Sequence, residues 1–542
     1  MKFRLILCLT LILSASFTSN YLQAQSFRQI IQVGDPLPGG ETYERGGVVL
    51  NDRGDVLLSS GGGLYLARND GSIAKVFQPG DPSPDGDGVI DGFPRFFRDS
   101  SVLNNNGHVV YLVDIGGPNR ALIYWDGEQN HIIARDGNPA LDNNGQFVIV
   151  FQTPLFNDSN RVVFRASFQN STIDNDGALM QYDFDTRRLS EIIRNDDRFA
   201  GETVSFTPLL GRSIDRQGNV VFQMTTIERD AEGNQIGSTS GRIIRGSSSG
   251  LVELFNRDDE LPEMGSVNVG VISSDNLGRV GFAFDYSRMS TRHYGAGIFS
   301  GGSLISIAVE DDLIPGTDIQ LDEPRQVVVS DSGAIWFAAE FIFESRRRNG
   351  LFRSVGGGIQ TVARPGNLDP WGDEISSVSF SQANDSGQIA LALSSTTVTD
   401  TSRNSLVLFE SGAAPVPIIY EGQTLFGSTV SGWTGLSSIN ATSTAIFPNL
   451  QFNNSGQLVI GYRLDGSSTD FPDGVAVWSP AGVVAGPVLG DVSGDGEVNF
   501  LDIAPFIVAL SAQGNQAEVD INRDGEVNFL DIAPFIQLLS NQ

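Results

Sequence analysis

The chain has 542 residues, with 64 acidic and 35 basic side chains and a net charge of −29. That charge excludes binding to nucleic acid or to anionic membranes, because like charges repel over several ångströms even in salt. It favours cations or neutral partners, and it equally serves to keep an exported protein soluble and monomeric.

At the N-terminus, Met1-Lys2-Phe3-Arg4 is followed by L-I-L-C-L-T-L-I-L-S-A-S-F. A charged start, a short apolar run and a small residue at Ala24 predict a secretory signal peptide over residues 1–24, too short to span a bilayer. The expected location is therefore secreted, extracellular or at the cell surface. Cys8, the only cysteine, lies within this segment, so the mature chain forms no disulfide. Its removal takes away Lys2 and Arg4, leaving 33 basic residues against 64 acidic, a net of −31, with Lys75 the one lysine. No later segment is long and apolar enough to predict a membrane span.

Residues 26–478 repeat one hairpin pattern. It reads N-D-R-G-D-V-L-L from Asn51, N-N-N-G-H-V-V-Y from Asn104 and N-D-S-N-R-V-V-F from Asn157. Further copies start at Asp215, Asp275, Ser330, Asn384 and Asn453, at intervals of 53 to 69 residues. Asn, Asp and Gly accept the positive φ of a tight turn, and the alternating apolar residues that follow form a strand. Each hairpin is followed by a short strand such as Gly63-Leu64-Tyr65-Leu66, and then by one ending in a Gly/Asp/Pro turn, as from Val76 to Pro84. With an apolar strand ahead of the hairpin, every repeat supplies the four strands of a propeller blade. The eighth repeat stops at Val475-Ala476-Val477-Trp478, and Ile30–Pro38 at the other end has the sequence of the missing strand. The fold expected is all-β: an eight-bladed β-propeller closed by an N-terminal strand, with seven blades as the nearest alternative.

The repeats resemble exported bacterial tandem-repeat proteins described by the string NxxGxxAF, which carry differing C-terminal anchors. That resemblance implies a C-terminal attachment part and leaves the propeller's activity open.

Residues of catalytic type are scattered. Asp331-x-Gly333-x-x-Trp336 overlaps the Asp-box of sialidase-type propellers, with Val329 where Ser or Thr would stand, and is expected to stabilise a hairpin. Asp52, Asp158 and Asp385 are read as turn residues. His108, His131 and His293 show no ligand spacing, and the first two are placed on neighbouring strands. The runs Gly61–Gly63 and Gly356–Gly358 read as loops, and Arg346-Arg347-Arg348 as a strand-connecting loop. Trp336 and Trp478 are expected in the core, whereas Trp371 and Trp433 are candidates to stack on a sugar ring. No catalytic pair of carboxylates is singled out.

After the linker at 479–489 (S-P-A-G-V-V-A-G-P-V-L), residues 490–542 carry a duplication: D-V-S-G-D-G-E-V-N-F-L-D-I-A-P-F-I from Asp491 and D-I-N-R-D-G-E-V-N-F-L-D-I-A-P-F-I from Asp520. Oxygen donors at loop positions 1, 3, 5, 9 and 12, glycine at 6 and a backbone carbonyl at 7 have the spacing of a calcium loop. The candidate ligands are Asp491, Ser493, Asp495, Glu497 (carbonyl), Asn499 and Asp502, then Asp520, Asn522, Asp524, Glu526 (carbonyl), Asn528 and Asp531. Hard oxygen donors without His or Cys suit Ca²⁺, one ion per loop. Helices are expected at Ile503–Ser511 and Ile532–Ser540.

This duplicated half-hand resembles a type I dockerin, which implies a small α, calcium-dependent module docking onto a cohesin-like or other cell-surface protein. Phe500-Leu501 and Phe529-Leu530 stand where dockerins usually carry small hydroxyl residues, and Pro505 and Pro534 fall early in the helices. The function expected is a secreted, non-catalytic binding or surface-display protein, with carbohydrate a possible ligand. The alternative is an extracellular polysaccharide-degrading enzyme of glycoside hydrolase type carrying a dockerin.

Overall fold

A computed structural model describes residues 26–44, 46–93, 101–117, 119–149, 154–173, 176–205, 209–230, 235–256, 267–288, 291–397, 401–410, 413–434, 452–465, 472–480, 503–512, 519 and 529–540. The strands fall into eight separate antiparallel sheets in chain order. Blade 1 comprises Val48–Leu50, Val56–Ser60, Gly63–Ala67 and Ile73–Phe77, each strand paired with the next. Blades 2 to 7 repeat this meander and end in outer strands Asn130–Arg135, Arg188–Arg194, Gly250–Phe255, Ser303–Val309, Gly358–Ala363 and Val416–Tyr420. In blades 2, 3 and 4 the innermost position is shared by two short strands, as with Ile90–Gly92 and Ser101–Leu103 against Val109–Ile115.

Blade 8 closes the ring as the sequence predicts. Its chain-terminal strand Gly474–Ser479 pairs with Ser26–Gln32 from the N-terminus, with Ser26 opposite Ser479 and Phe27 opposite Trp478. The closing strand lies somewhat earlier than the expected Ile30–Pro38. Asp35 accepts the Gln32 N–H at 2.7 Å, and this turn ends the strand.

The core is distributed between blades. Eight apolar clusters each draw on two consecutive blades. The one joining the ends packs Val459, Val475 and Val477 of blade 8 against Leu50, Val56 and Leu58 of blade 1. Tyr65, Trp336 and Trp478 are among the largest fully buried side chains.

All eight outer strands carry a bulge at the same place. The unpaired residues are Val76, Ile133, Ile192, Leu254, Ile307, Val362 and Ile418 in blades 1 to 7, and Ile30 in the closing strand. A bulge breaks the two-residue alternation, so two consecutive apolar residues can both face inward. Val76 and Phe77 are both buried, as are Ile418 and Ile419.

Arg346-Arg347-Arg348 lies within the strand Arg346–Val355, not in the loop expected. The connection is a two-residue turn, Glu344-Ser345, with φ of 49° and 61°. Without glycine or asparagine it carries no turn signal in the sequence. The Gly61-Gly62 and Gly356-Gly357 pairs do form the tight turns expected, with both φ values positive.

At the C-terminus, α1 (Ile503–Ala512) and α2 (Ile532–Ser540) occupy the expected helical segments. Phe506 and Phe535, equivalent residues of the duplication, stack face to face with centroids 3.9 Å apart and planes 11° from parallel. No helix among the described residues is long and apolar enough to cross a membrane.

Candidate functional site

The repeated N-D-x-G turn joins the first and second principal strands of each blade, and its copies meet in a hydrogen-bonded belt. Its first residue closes the turn on itself: Asn51 Oδ1 accepts the N–H groups of Arg53 at 3.0 Å and Asp55 at 2.9 Å. A carboxamide can also donate, and Asn51 Nδ2 reaches the Asn104 carbonyl of the next turn at 3.1 Å. The same bond runs from Asn104 to Asn157 (3.2 Å), from Asn157 to Asp215 (2.7 Å), from Asn384 to Asn453 (2.8 Å) and from Asn453 back to Asn51 (2.9 Å). Arg279 Nη2 donates to the Ser330 carbonyl at 2.6 Å and the Ser332 N–H to the Asp385 carbonyl at 3.0 Å. The circuit is thus continuous from blade 5 through blades 8 and 1 to blade 4.

Aspartate at the first position cannot donate, and both such turns recruit an arginine. Arg245 bonds Asp215 and Arg279 bonds Asp275, each at 2.6 Å. Asn160 stands where most copies have glycine, with φ of 53°. Its Oδ1 meets Asn104 Nδ2 at 3.1 Å and His108 Nδ1 at 3.0 Å.

The second turn residues form an inner tier. Asn105 Nδ2 donates to Asp52 at 2.8 Å and to Asp158 at 2.9 Å, and Asn454 Nδ2 to Asp52 at 3.0 Å and Asp385 at 3.2 Å. Asn276 Nδ2 donates to Asp331 at 2.8 Å. Carboxylates and carboxamides therefore alternate, except at Arg216 of the fourth turn and where Asp331 and Asp385 follow one another in the ring with no amide between. The Asp385 carboxyl touches solvent yet is crowded by surrounding protein. That desolvation, with Asp331 and more weakly Asp52 and Asp275 nearby, raises its pKa to about 6 against the Asn454 hydrogen bond. Asp52, Asp158, Asp331 and Asp385 are thus turn and belt residues, as the sequence indicates.

The histidines are also engaged. His108 Nδ1 lies 2.7 Å from Tyr124 Oη, His131 Nε2 2.8 Å from Asp126 and His293 Nδ1 3.4 Å from Glu310. His108 and His131 are not on neighbouring strands: Asn119–Trp125 lies between, and its Tyr124 ring approaches both. Among the described residues, no three His, Cys, Asp or Glu side chains are grouped to hold a metal ion.

Trp371 is half-buried and already packed by protein on one face and one edge. The Arg403 guanidinium lies 4.8 Å from its ring centroid, and Tyr420 packs edge-on at 5.2 Å. Arg403 is in turn paired with Asp369 and Asp373, and the Asp369 carboxyl is held below the usual range by backbone and side-chain hydrogen bonds that outweigh its desolvation. Trp433 lies on the strand Ser428–Thr434, paired with Tyr462, rather than in a loop. Sequence reading missed the Arg403–Trp371–Tyr420 cluster because Arg403 comes from a different strand, Ser402–Glu410.

Of the twelve calcium-ligand candidates, Asp531 lies within the described residues; Asp491, Ser493, Asp495, Glu497, Asn499, Asp502, Asp520, Asn522, Asp524, Glu526 and Asn528 lie outside them. Asp531 is fully buried in the turn Phe529–Asp531 that opens α2. A buried carboxylate at loop position 12 fits a cation-coordinating role. Phe529 beside it is 82% exposed.

The model of one family matches residues 59–273 and 274–533, most of the chain. The chain belongs to DUF7453, a family of unknown function. No curated protein matches it. Among solved structures, an ulvan lyase of polysaccharide lyase family PL25 is similar at TM-score 0.31 and 13% identity, over 71% of this chain and 96% of that one. An oligogalacturonate lyase in complex with manganese gives 0.33 and 11%, over 71% and 97%. The Dos1 propeller gives 0.37 and 10%, over 84% and 95%. Likeness at this level says nothing about the activity of this DUF7453 member.

Proposed function

We propose that this chain is an exported, non-catalytic binding or display protein, a closed propeller attached through a calcium-dependent, dockerin-like C-terminal module. The observation that carries the reading is the duplication itself, together with its equivalent phenylalanines stacked against one another. Two loop–helix units related in this way form one small body whose ligand loops are repeated. The exposed Phe529 suits a partner with an apolar patch, in place of one that reads hydroxyl groups. Within the propeller, the belt aspartates and the histidines already have structural partners, which weighs against chemistry at those residues.

The test is a pull-down with the full mature chain from the surface fraction of the parent organism, with calcium and with EDTA. Calcium-dependent capture of one surface protein supports the proposal. Release of sugars when the chain is incubated with a polysaccharide panel would overturn its non-catalytic part.

A further inference from the structure

The crossover from Gly358–Ala363 of blade 6 to Glu374–Ala383 of blade 7 is built unlike the others. Five crossovers open on an isolated bridge, and the residue after the bridge is buried in each. Leu37, Ala140 and Ile314 are apolar there and Ser83 is small, whereas Asp369 is a carboxylate only 6% exposed.

A buried aspartate costs stability unless hydrogen bonds and a counter-charge offset it. Asp369 has both. Its Oδ1 accepts the N–H groups of Trp371 and Asp373, each at 2.9 Å, and its Oδ2 accepts Arg403 Nη2 at 3.1 Å. Its own N–H donates to the Asp373 carbonyl at 2.8 Å, and the Gly372 N–H returns to the Asp369 carbonyl at 3.0 Å. Gly372 has the positive φ, 86°, that the turn requires. The Asn51 turn of the belt makes the same four internal bonds. Asp369-Pro370-Trp371-Gly372-Asp373 is thus a further copy of the belt turn, set in a crossover.

The third residue is exposed in all eight belt turns, and Trp371 takes that place here. Its ring is held by Arg403 on one face and Tyr420 on an edge, and Arg403 is itself fixed by Asp369 and Asp373. The rest of the ring is open to solvent, and the neighbouring Pro370, Gly372 and Glu374 are exposed. An aromatic ring fixed in advance loses little entropy when a ligand stacks on it.

We infer that Trp371 is a platform on which a neutral sugar residue of an extracellular polysaccharide stacks. The C–H face of a pyranose matches an indole in size and polarity. At the turn, one guanidinium stands against Asp369, Asp373 and Glu374, in a chain with a large acidic excess. That balance repels carboxylated and sulfated sugars. The inference rests on the binding reading of the propeller and names its ligand class.

The full mature chain is titrated with neutral glucan, mannan and xylan and with polygalacturonate, in calcium and again in EDTA. Calorimetry reads the affinity and tryptophan fluorescence reads the ring. At least one neutral polymer is expected to bind and to change the emission, and polygalacturonate is expected not to bind. Trp371→Ala should weaken that binding about tenfold or more, and Trp371→Phe, which keeps a ring, by less. The emission change should be absent from Trp371→Phe. Unchanged affinity in Trp371→Ala overturns the inference, as does preference for polygalacturonate or failure of every neutral polymer to bind. If the alanine variant unfolds, the phenylalanine variant decides: an emission change that persists in it overturns the platform. Binding in EDTA separates this result from calcium-dependent attachment. Release of sugars from the bound polymer would sink the non-catalytic reading and leave the platform in place.

Discussion

Asparagine at the head of the repeated turn does two jobs that aspartate cannot combine: its oxygen closes the local turn and its amide bonds the next blade. Asp385 shows the cost where the inner tier loses its alternation. A carboxyl raised to about 6, above its ordinary unfolded value near 3.9, binds a proton more tightly in the native state. The stability it contributes is present at about pH 4 and is lost as pH rises through about 6. Asp385→Asn should therefore flatten that part of the pH–stability profile and raise the melting temperature at pH 7 to 8, read by thermal unfolding across pH. An unchanged profile would show that neither desolvation nor the neighbouring Asp331 raises the Asp385 carboxyl. Trp478 gives a second test. Its indole Nε1 is buried with no hydrogen-bond partner in the structure, so the ring acts by volume alone. Trp478→Phe should cost much less than Trp478→Ala, for which ~3–5 kcal/mol is expected in denaturant melts.

At the scale of the element, the outer strands manage an exposed edge. A strand without a neighbour is a template for pairing with another chain, and a bulge disrupts the regular ladder such pairing needs. The bulged residues sit in V-F, I-A, I-I, L-F and V-A pairs, read in the sequence only as strand ends. Their regularity emerges when register is known, because a bulge is a property of two strands. The closing strand is the counterpart at the ring's seam. Deleting residues 26–32 should expose the edge of Gly474–Ser479 and remove Ile31 from the seam core, leaving Val475 and Val477 less covered. The expected outcome is a lower melting temperature with dimers or larger species on size exclusion. A monomer of unchanged stability would mean that the seam is held by the belt.

For the whole molecule, closure adds two kinds of polar contact between the chain ends to the apolar seam: the Ser26–Ser479 strand pair, and the belt bonds of Asn453 to Asn51 and Asn454 to Asp52. Both lie over 400 residues apart in sequence, so closure has a large loop-entropy cost that many junctions must offset together. The C-terminal module should behave as a separate unit. Calcium titration of the full chain followed by calorimetry should show two sites, and EDTA should reduce the helical signal without lowering the propeller's melting temperature. A single transition that shifts as a whole with calcium would show that the two parts are coupled.

Eight blades, the four-strand repeat, the closing strand and the two terminal helices were legible in the sequence, because turn chemistry and apolar alternation are local and were repeated eight times. The same was true of the turn aspartates, whose role follows from their place in the motif. Side-chain partners across blades were not legible. Nothing near Asn105 in the chain says that it will bridge Asp52 and Asp158, nor near Trp371 that Arg403 will cover it. The belt and the bulges were decided by tertiary structure alone. They depend on which strand lies beside which, and residue order specifies that only once the ring has closed.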